Sequence, residues 1–213
     1  MLQIAEYKKS YNAATVLQIE RLSLPVGIYW LKGENGTGKT TLLKSIAGLI
    51  PFDGTIEVNG INLRKSRMQY TRTVSFSEAE PVYPGFLSGS DLLRFYRRAR
   101  RGNDAMTTEM LTAFGVNTYL PNKIDTYSSG MLKKLSILLA FVGCPKLILL
   151  DEPFITLDAN ALGLLQQYIG RLSNEGVSFL FSSHQELMLG KDVNVLHVRH
   201  QTIERETHAV SAY

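Results

Sequence analysis

One octapeptide narrows the choice of fold more than any other stretch of the chain. Gly33-Glu34-Asn35-Gly36-Thr37-Gly38-Lys39-Thr40 satisfies the phosphate-loop pattern G-x-x-x-x-G-K-[ST], and its flanks have the character that the pattern requires. Before it, Gly27-Ile28-Tyr29-Trp30-Leu31 is a short apolar run of the kind that forms a buried strand. After it, Lys39 to about Leu49 carries Leu42, Leu43, Ile46, Ala47 and Leu49 at helical spacing, and Pro51 with Gly54 ends that helix before the strand-like Thr55-Ile56-Glu57-Val58. Strand, glycine-rich turn and helix in this order open an α/β unit. The glycines let the backbone curl until its N–H groups point inward at phosphate oxygens, and the helix N-terminus adds a partial positive charge there. Lys39 then reaches the β- and γ-phosphates of a nucleotide, and the Thr40 hydroxyl suits Mg²⁺.

The rest of the chain continues the alternation. Thr15-Val16-Leu17-Gln18-Ile19-Glu20 reads as a half-exposed strand. From about Pro81 to Thr126 the character changes: Pro81, Pro84, Gly85 and Gly89 break the chain, and Asp91-Leu92-Leu93-Arg94-Phe95-Tyr96 begins an amphipathic helix, which makes this stretch a helical insertion. A helix from Met131 to about Val142, the apolar strand Lys146–Leu150, a helix from about Ala159 to Leu172 and the strand Val177–Phe181 follow. The expected class is α/β, a mostly parallel sheet flanked by helices.

The strand Leu147-Ile148-Leu149-Leu150 ends in Asp151-Glu152-Pro153, which places two carboxylates at the carboxyl end of a buried strand, where ligands of open α/β sheets bind. Asp151 there would hold the Mg²⁺ shell, and Glu152 would orient and deprotonate a water for in-line attack on the γ-phosphorus. An acidic pair in isolation is ordinary turn chemistry; beside a phosphate loop it is a second nucleotide signal.

These two motifs, with Ser128-Ser129-Gly130 and His184, resemble the nucleotide-binding subunit of ATP-binding cassette (ABC) proteins, and the resemblance covers essentially the whole chain. It implies a P-loop NTPase of ABC type: one nucleotide-binding domain over 1–213, with a RecA-like core over about 1–80 and 127–213, an antiparallel β edge, and a helical subdomain over about 81–126. ATP and Mg²⁺ are the implied ligands. Gly33, Asn35, Gly36, Gly38, Lys39, Thr40 and Thr41 would surround the triphosphate, Lys39, Glu152 and His184 would be catalytic, and Thr40, Asp151 and Glu78 would face the metal. The family signature L-S-G-G-Q reads Tyr127-Ser128-Ser129-Gly130-Met131 here, keeping the serine and the second glycine. The resemblance implies that Ser128 and Gly130 contact the γ-phosphate held by the other subunit; alone, the tripeptide is a plain helix N-cap. Asp158 aligns with the family's interface aspartate and is equally a helix cap before Ala159. His184 falls at the switch-histidine position, and Glu78 stands where the family has glutamine. Tyr11 lies where an aromatic often stacks on adenine, with Tyr7 as its rival.

Composition trims the remaining choices. The lone Cys144 excludes a disulfide scaffold and reads as a small buried hydrophobe. No stretch approaches the roughly 18 uninterrupted apolar residues of a membrane span, and the first residues lack a secretory pattern, so a cytoplasmic location is expected. The net charge of +4 admits anionic partners without choosing one. Most of Arg94, Arg97, Arg98, Arg100 and Arg101 form one solvent-facing stripe on a helix whose opposite face carries Leu92, Phe95, Tyr96 and Ala99, and no nucleic acid is expected. The expected function is the ATPase subunit of a transporter with a separately encoded integral membrane permease, on the cytoplasmic face of the cell membrane, working as a homodimer or heterodimer of cassettes. A soluble ATPase that drives assembly, of the iron-sulfur-cluster type, and a weakly hydrolysing regulatory cassette are the alternatives.

Overall fold

The computed structural model describes residues 1–101, 104–183 and 193–206. In chain order the elements are β1 (Leu2–Tyr11), β2 (Ala14–Leu24), β3 (Ile28–Lys32), α1 (Lys39–Ile46), β4 (Asp53–Val58), β5 (Ile61–Asn62), α2 (Arg67–Thr73), β6 (Val74–Ser77), α3 (Gly89–Arg100) and α4 (Asp104–Ala113). Two short 3-10 turns, α5 (Ser129–Phe141), β7 (Leu147–Asp151), α6 (Ala159–Asn174), β8 (Ser178–Ser182), β9 (Val193–Arg199) and β10 (Thr202–Arg205) complete it.

Two sheets divide the work. A four-stranded antiparallel sheet runs in the order β2-β1-β4-β5, opened by a hairpin whose turn residues Asn12 and Ala13 both have positive φ, 46° and 67°. Such primed turns match the twist of the strands they join. The second sheet has the order β10-β9-β3-β8-β7-β6; all its pairings are parallel except the β9–β10 hairpin. Every residue of β7 and β8 is buried, as expected for central parallel strands covered on both faces. One core joins this sheet to α5, α6 and the helical insertion; another fills the space between the two sheets around α1. The strand β3, with the phosphate loop at its carboxyl end, thus sits mid-sheet between β8 and β9.

The spans read from periodicity agree with these elements to within a few residues, and β1, β5, α2, β6, α4, β9 and β10 are additions to that reading. Two expectations are corrected. Cys144 is exposed, because the turn at Gly143, with φ 94°, carries it out of the core between α5 and β7. On α3, Leu92 and Leu93 face inward, but Phe95 is 66% exposed and Arg100 turns in instead, donating to the Ser75 hydroxyl and the Val74 carbonyl oxygen. Those acceptors let a guanidinium enter a partly buried position. Phe95 and Ala99 line a groove of about 440 Å³ that also receives Leu49, Val82 and Glu78. Ser88 starts α3 with a capping box: its hydroxyl accepts from the Asp91 N–H, and the Asp91 carboxylate accepts from the Ser88 N–H.

Candidate active site

The phosphate loop is shaped by what surrounds its glycines. A Cβ on Gly33 would lie 2.6 Å from the Val198 carbonyl oxygen of β9, and Gly38, at φ 103°, would meet the Val16 side chain at 3.0 Å. Both positions exclude a side chain, the second on conformational grounds as well. Gly38 is the N-cap of α1; no side chain caps that helix and no acid lies in its first turn, so its leading N–H groups stay available to an anion. Lys39 is buried, and its ammonium donates to the Gly33 and Glu34 carbonyl oxygens at 2.7 and 2.8 Å. Burial pushes its pKa down while Glu152 and Asp151 push it back up. A phosphate oxygen accepts more strongly than either carbonyl, so the ammonium has a stronger partner to turn to once a phosphate enters. The cleft beside it, about 250 Å³, is lined by Asn35, Gly36, Gly38 and the first turn Lys39-Thr40-Thr41, with Glu152 across from them.

Across the sheet, the carboxyl end of β7 is held by side chains that the local sequence does not announce. Asp151 is 2% exposed, and its Oδ1 accepts from the Ser182 hydroxyl at 2.6 Å; the same hydroxyl accepts from the Glu152 N–H at 3.0 Å. Glu152 has φ 42°, a left-handed conformation that costs a non-glycine residue about 1–3 kcal/mol. That turn takes its side chain out of the line of the strand and toward the cleft. Beneath both carboxylates lies Lys133 of α5, 1% exposed, whose Nζ donates to the carbonyl oxygens of Glu78 at 2.7 Å, Ala79 at 3.1 Å and Asp151 at 2.9 Å. Burial pushes its pKa down to about 8 against the pull of Asp151, Glu152 and Glu78. The Glu78 carboxylate accepts from the Lys44 ammonium of α1 at 3.3 Å.

A third group of residues faces outward. Ser128 is the N-cap of α5, exposed, accepting from the Met131 N–H at 3.3 Å, and a Cβ on Gly130 would lie 3.3 Å from the Thr156 carbonyl oxygen. Asp158 caps α6 through the Ala161 N–H at 2.8 Å and accepts from Lys134 of α5 at 2.6 Å, a bond that holds its pKa below the usual carboxylate range. Tyr11 is 49% exposed with the Lys9 ammonium 4.5 Å from its ring centroid. Tyr7 is fully buried, its hydroxyl bonded to Ser45 at 2.8 Å and its ring against Phe52, which leaves no face for a base. Of the two tyrosines, Tyr11 is the accessible one.

The ABC transporter family model matches residues 22–155, from β2 across the phosphate loop to just past the acidic pair. The chain belongs to the ABC transporter ATPase family. Lantibiotic transport ATP-binding protein SrtF of Streptococcus pyogenes is 31% identical over 186 residues, covering 86% of this chain and 80% of that protein. Bacitracin transport ATP-binding protein BcrA of Enterococcus faecalis is 30% identical over 206 residues, covering 94% and 67%. Among solved structures, the ATP-binding subunit of an ABC transporter superposes with a TM-score of 0.88 at 25% identity, covering 98% of this chain and 90% of that one. A dimeric ATP-binding cassette in a post-hydrolysis state with ADP and Pi shares the fold, at a TM-score of 0.82 and 18% identity.

Within this ATPase cassette, Asn35, Gly36, Gly38, Lys39, Thr40 and Thr41 come together with Glu152 in one cleft, whereas Gly33 does not line it. Asp151 lies directly beside Glu152 at the adjacent strand end. Ser128, Gly130 and Asp158 form a separate outward-facing group, and His184 lies outside the described residues. Among the described residues no three of His, Cys, Asp and Glu gather into a metal cage. One carboxylate and one threonine hydroxyl, Asp151 and Thr40, fit Mg²⁺, which usually takes only one or two protein carboxylates beside substrate phosphates. Lys133 and Ser182 were not singled out in the sequence: a lysine in an amphipathic helix and a serine ending a strand become distinctive only once their distant partners are known.

Proposed function

We propose that this chain is the ATP-hydrolysing subunit of a transporter whose permease is a separate polypeptide, and that two cassettes close on two ATP molecules. The observation that carries the reading is the cleft of about 250 Å³ in which the first turn of α1 and Lys39 face Glu152. The leading N–H groups of α1 and the Lys39 ammonium bind the β- and γ-phosphates. Glu152 orients a water and takes its proton as the water oxygen bonds to the γ-phosphorus and the bond to the β-phosphate bridge breaks. Thr40 and Asp151 would hold Mg²⁺, which would supply neutralising charge to the phosphate oxygens. Glu78, ion-paired to Lys44, would face the metal as a charge-compensated carboxylate. His184 serves as the γ-phosphate contact, and Tyr11 stacks on the adenine.

The exposed α5 N-terminus, with Ser128 and Gly130, meets the γ-phosphate of the second subunit, and Asp158 lies at that interface. The groove between α3 and the core, with Leu49, Val82 and Phe95 57%, 87% and 66% exposed, receives a cytoplasmic segment of the permease. The division into a RecA-like core and a helical subdomain over about 81–126 belongs to the same reading, since it sets that groove between the two. In this reading the chain attaches to the cytoplasmic face through its partner; among the described residues no helix is long and apolar enough to cross a membrane.

Steady-state phosphate release tests the chemistry. Glu152→Gln is expected to lower turnover at least ~100-fold while ATP still binds; a wild-type rate removes Glu152 as the base. Gel filtration of that variant with ATP and Mg²⁺ is expected to show a dimer, and a persistent monomer removes the sandwich. Co-purification from detergent-solubilised membranes is expected to bring a polytopic partner; a soluble one supports the assembly alternative.

A further inference from the structure

Lysine 133 is the least expected group in the molecule. A lysine ammonium taken 99% out of solvent would ordinarily be neutralised by a carboxylate in direct contact, because an uncompensated buried charge is costly. Its three donors are instead matched one-to-one with three backbone carbonyl oxygens. One of those carbonyls ends β7 and the other two lie in the turn that leaves β6, at the point where these neighbouring parallel strands part. The β6–β7 ladder ends at the Ser77–Leu150 pair; beyond it, β6 runs into the groove wall through Glu78 and Val82, while β7 runs through Asp151 into Glu152. The ammonium replaces the ladder that the divergence removes. One turn further along α5, the Ser136 hydroxyl bonds the Ser77 hydroxyl at 2.9 Å and pins β6 to the same helix.

We infer that Lys133 is a positioning residue that holds the Glu78–Ala79 turn and the Asp151 strand end in one frame, so that displacement of the groove wall is delivered to the carboxylates of the nucleotide cleft. This rests on the proposed ATPase reading of that cleft. The frame extends in two further directions: Lys44 ties the Glu78 carboxylate to α1, the helix that caps the phosphate loop, and α5 begins at the outward-facing Ser128. Groove, metal-side carboxylate and signature helix therefore share one buried cation. Lys133 touches no part of the phosphate cleft directly, so its contribution is to catalytic geometry and not to nucleotide affinity.

The test compares Lys133→Met, which keeps the length and loses the charge and donors, with Lys133→Arg, which keeps both, using Glu152→Gln as the control for the cleft. Lys133→Met is expected to lower kcat about 10- to 100-fold and to raise the Mg²⁺ concentration for half-maximal turnover about tenfold, as loss of a group that orients metal-binding side chains does. ATP affinity measured by calorimetry without Mg²⁺ is expected to stay within about twofold, and Lys133→Arg to recover kcat to within about threefold of wild type. Wild-type kcat and Mg²⁺ dependence in Lys133→Met, with Glu152→Gln inactive, overturns the inference and leaves the ATPase reading standing. Loss of thermal stability alone, or Arg no better than Met in kcat, identifies a packing role and also overturns it. Should the Met variant fail to fold, amide hydrogen exchange of the wild-type chain decides: ATP with Mg²⁺ is expected to slow exchange at 78–80 and 151–153 together, and slowing at 151–153 alone refutes the shared frame.

Discussion

Two buried lysines bracket the nucleotide cleft, and they are held in opposite ways. Lys39 donates to carbonyls only six and five residues away, inside its own loop. Lys133 donates to carbonyls 55, 54 and 18 residues away, two in the turn after β6 and one at the end of β7. The first is a mobile cation parked on weak neutral acceptors beside an open cleft, ready to exchange them for a phosphate. The second has every donor occupied and is a fixed part of the scaffold. Each carries one positive charge next to the same pair of carboxylates, yet one is suited to bind and the other to position.

That contrast can be broken in graded steps. The largest effect is expected at Lys39→Ala: loss of a donor aimed at transferring phosphate costs about 10²- to 10³-fold in turnover, and calorimetry should show much weaker ATP uptake than in Lys133→Met. Equal ATP affinity in the two variants would erase the distinction between a binding and a positioning lysine. Next comes Ser182→Ala, which deprives both the Asp151 carboxylate and the Glu152 N–H of a partner. Turnover is expected to fall about 10- to 100-fold and stability by about 1–3 kcal/mol, measured by phosphate release and urea unfolding; an unchanged rate would show that the strained backbone at Glu152 holds itself. Lys44→Met should do less. Its pair with Glu78 is partly solvent-exposed, so at most about 1 kcal/mol of stability is at stake, and the expected result is a few-fold change in turnover that grows at low salt.

The smallest effect lies far from both lysines. Ser88→Ala removes the capping box of α3 and is expected to cost about 1 kcal/mol with turnover unchanged. The Ser88 hydroxyl and N–H hold the Asp91 pKa below the usual carboxylate range, so the folded state favours the ionised form. The stabilisation is present above the unfolded-chain value of about 3.9 and is lost as pH falls through the lower folded value. Unfolding of Asp91→Asn followed into acid should accordingly show a flatter pH dependence than wild type; parallel curves would remove Asp91 from the account.

What could be read from the sequence follows the same division as the two lysines. The loop from Gly33 to Thr40 and its helix are legible because their residue pattern, the glycines, Lys39 and a following apolar periodicity, lies within a short stretch of chain. Asp151-Glu152 is legible because it ends a run of buried aliphatics. Lys133 and Ser182 are not, since each derives its meaning from acceptors that only the β6-β7-β8 arrangement brings close. The face of α3 was misread for a related reason: Leu92, Leu93, Phe95 and Tyr96 leave two orientations open, and the carbonyl and hydroxyl that draw Arg100 inward lie on β6, which is too short to announce itself. Tyr11 and Tyr7 could not be separated by strand alternation, because they have the same parity; the register shift between Lys9 and Ser10 and the buried partner at Ser45 distinguish them.

The placement of β3 has a consequence for how such a chain comes into being. Its ladder partners are β8 and β9, and the Val198 carbonyl is the atom that Gly33 leaves room for, so the phosphate loop borrows its scaffold from segments made long after it. On a translating ribosome the octapeptide emerges early but stays unsupported until Ser182 and Val198 have left the exit tunnel. A nascent chain therefore gains its grip on nucleotide only after β9 has been made, which makes that grip a record of synthesis through Val198.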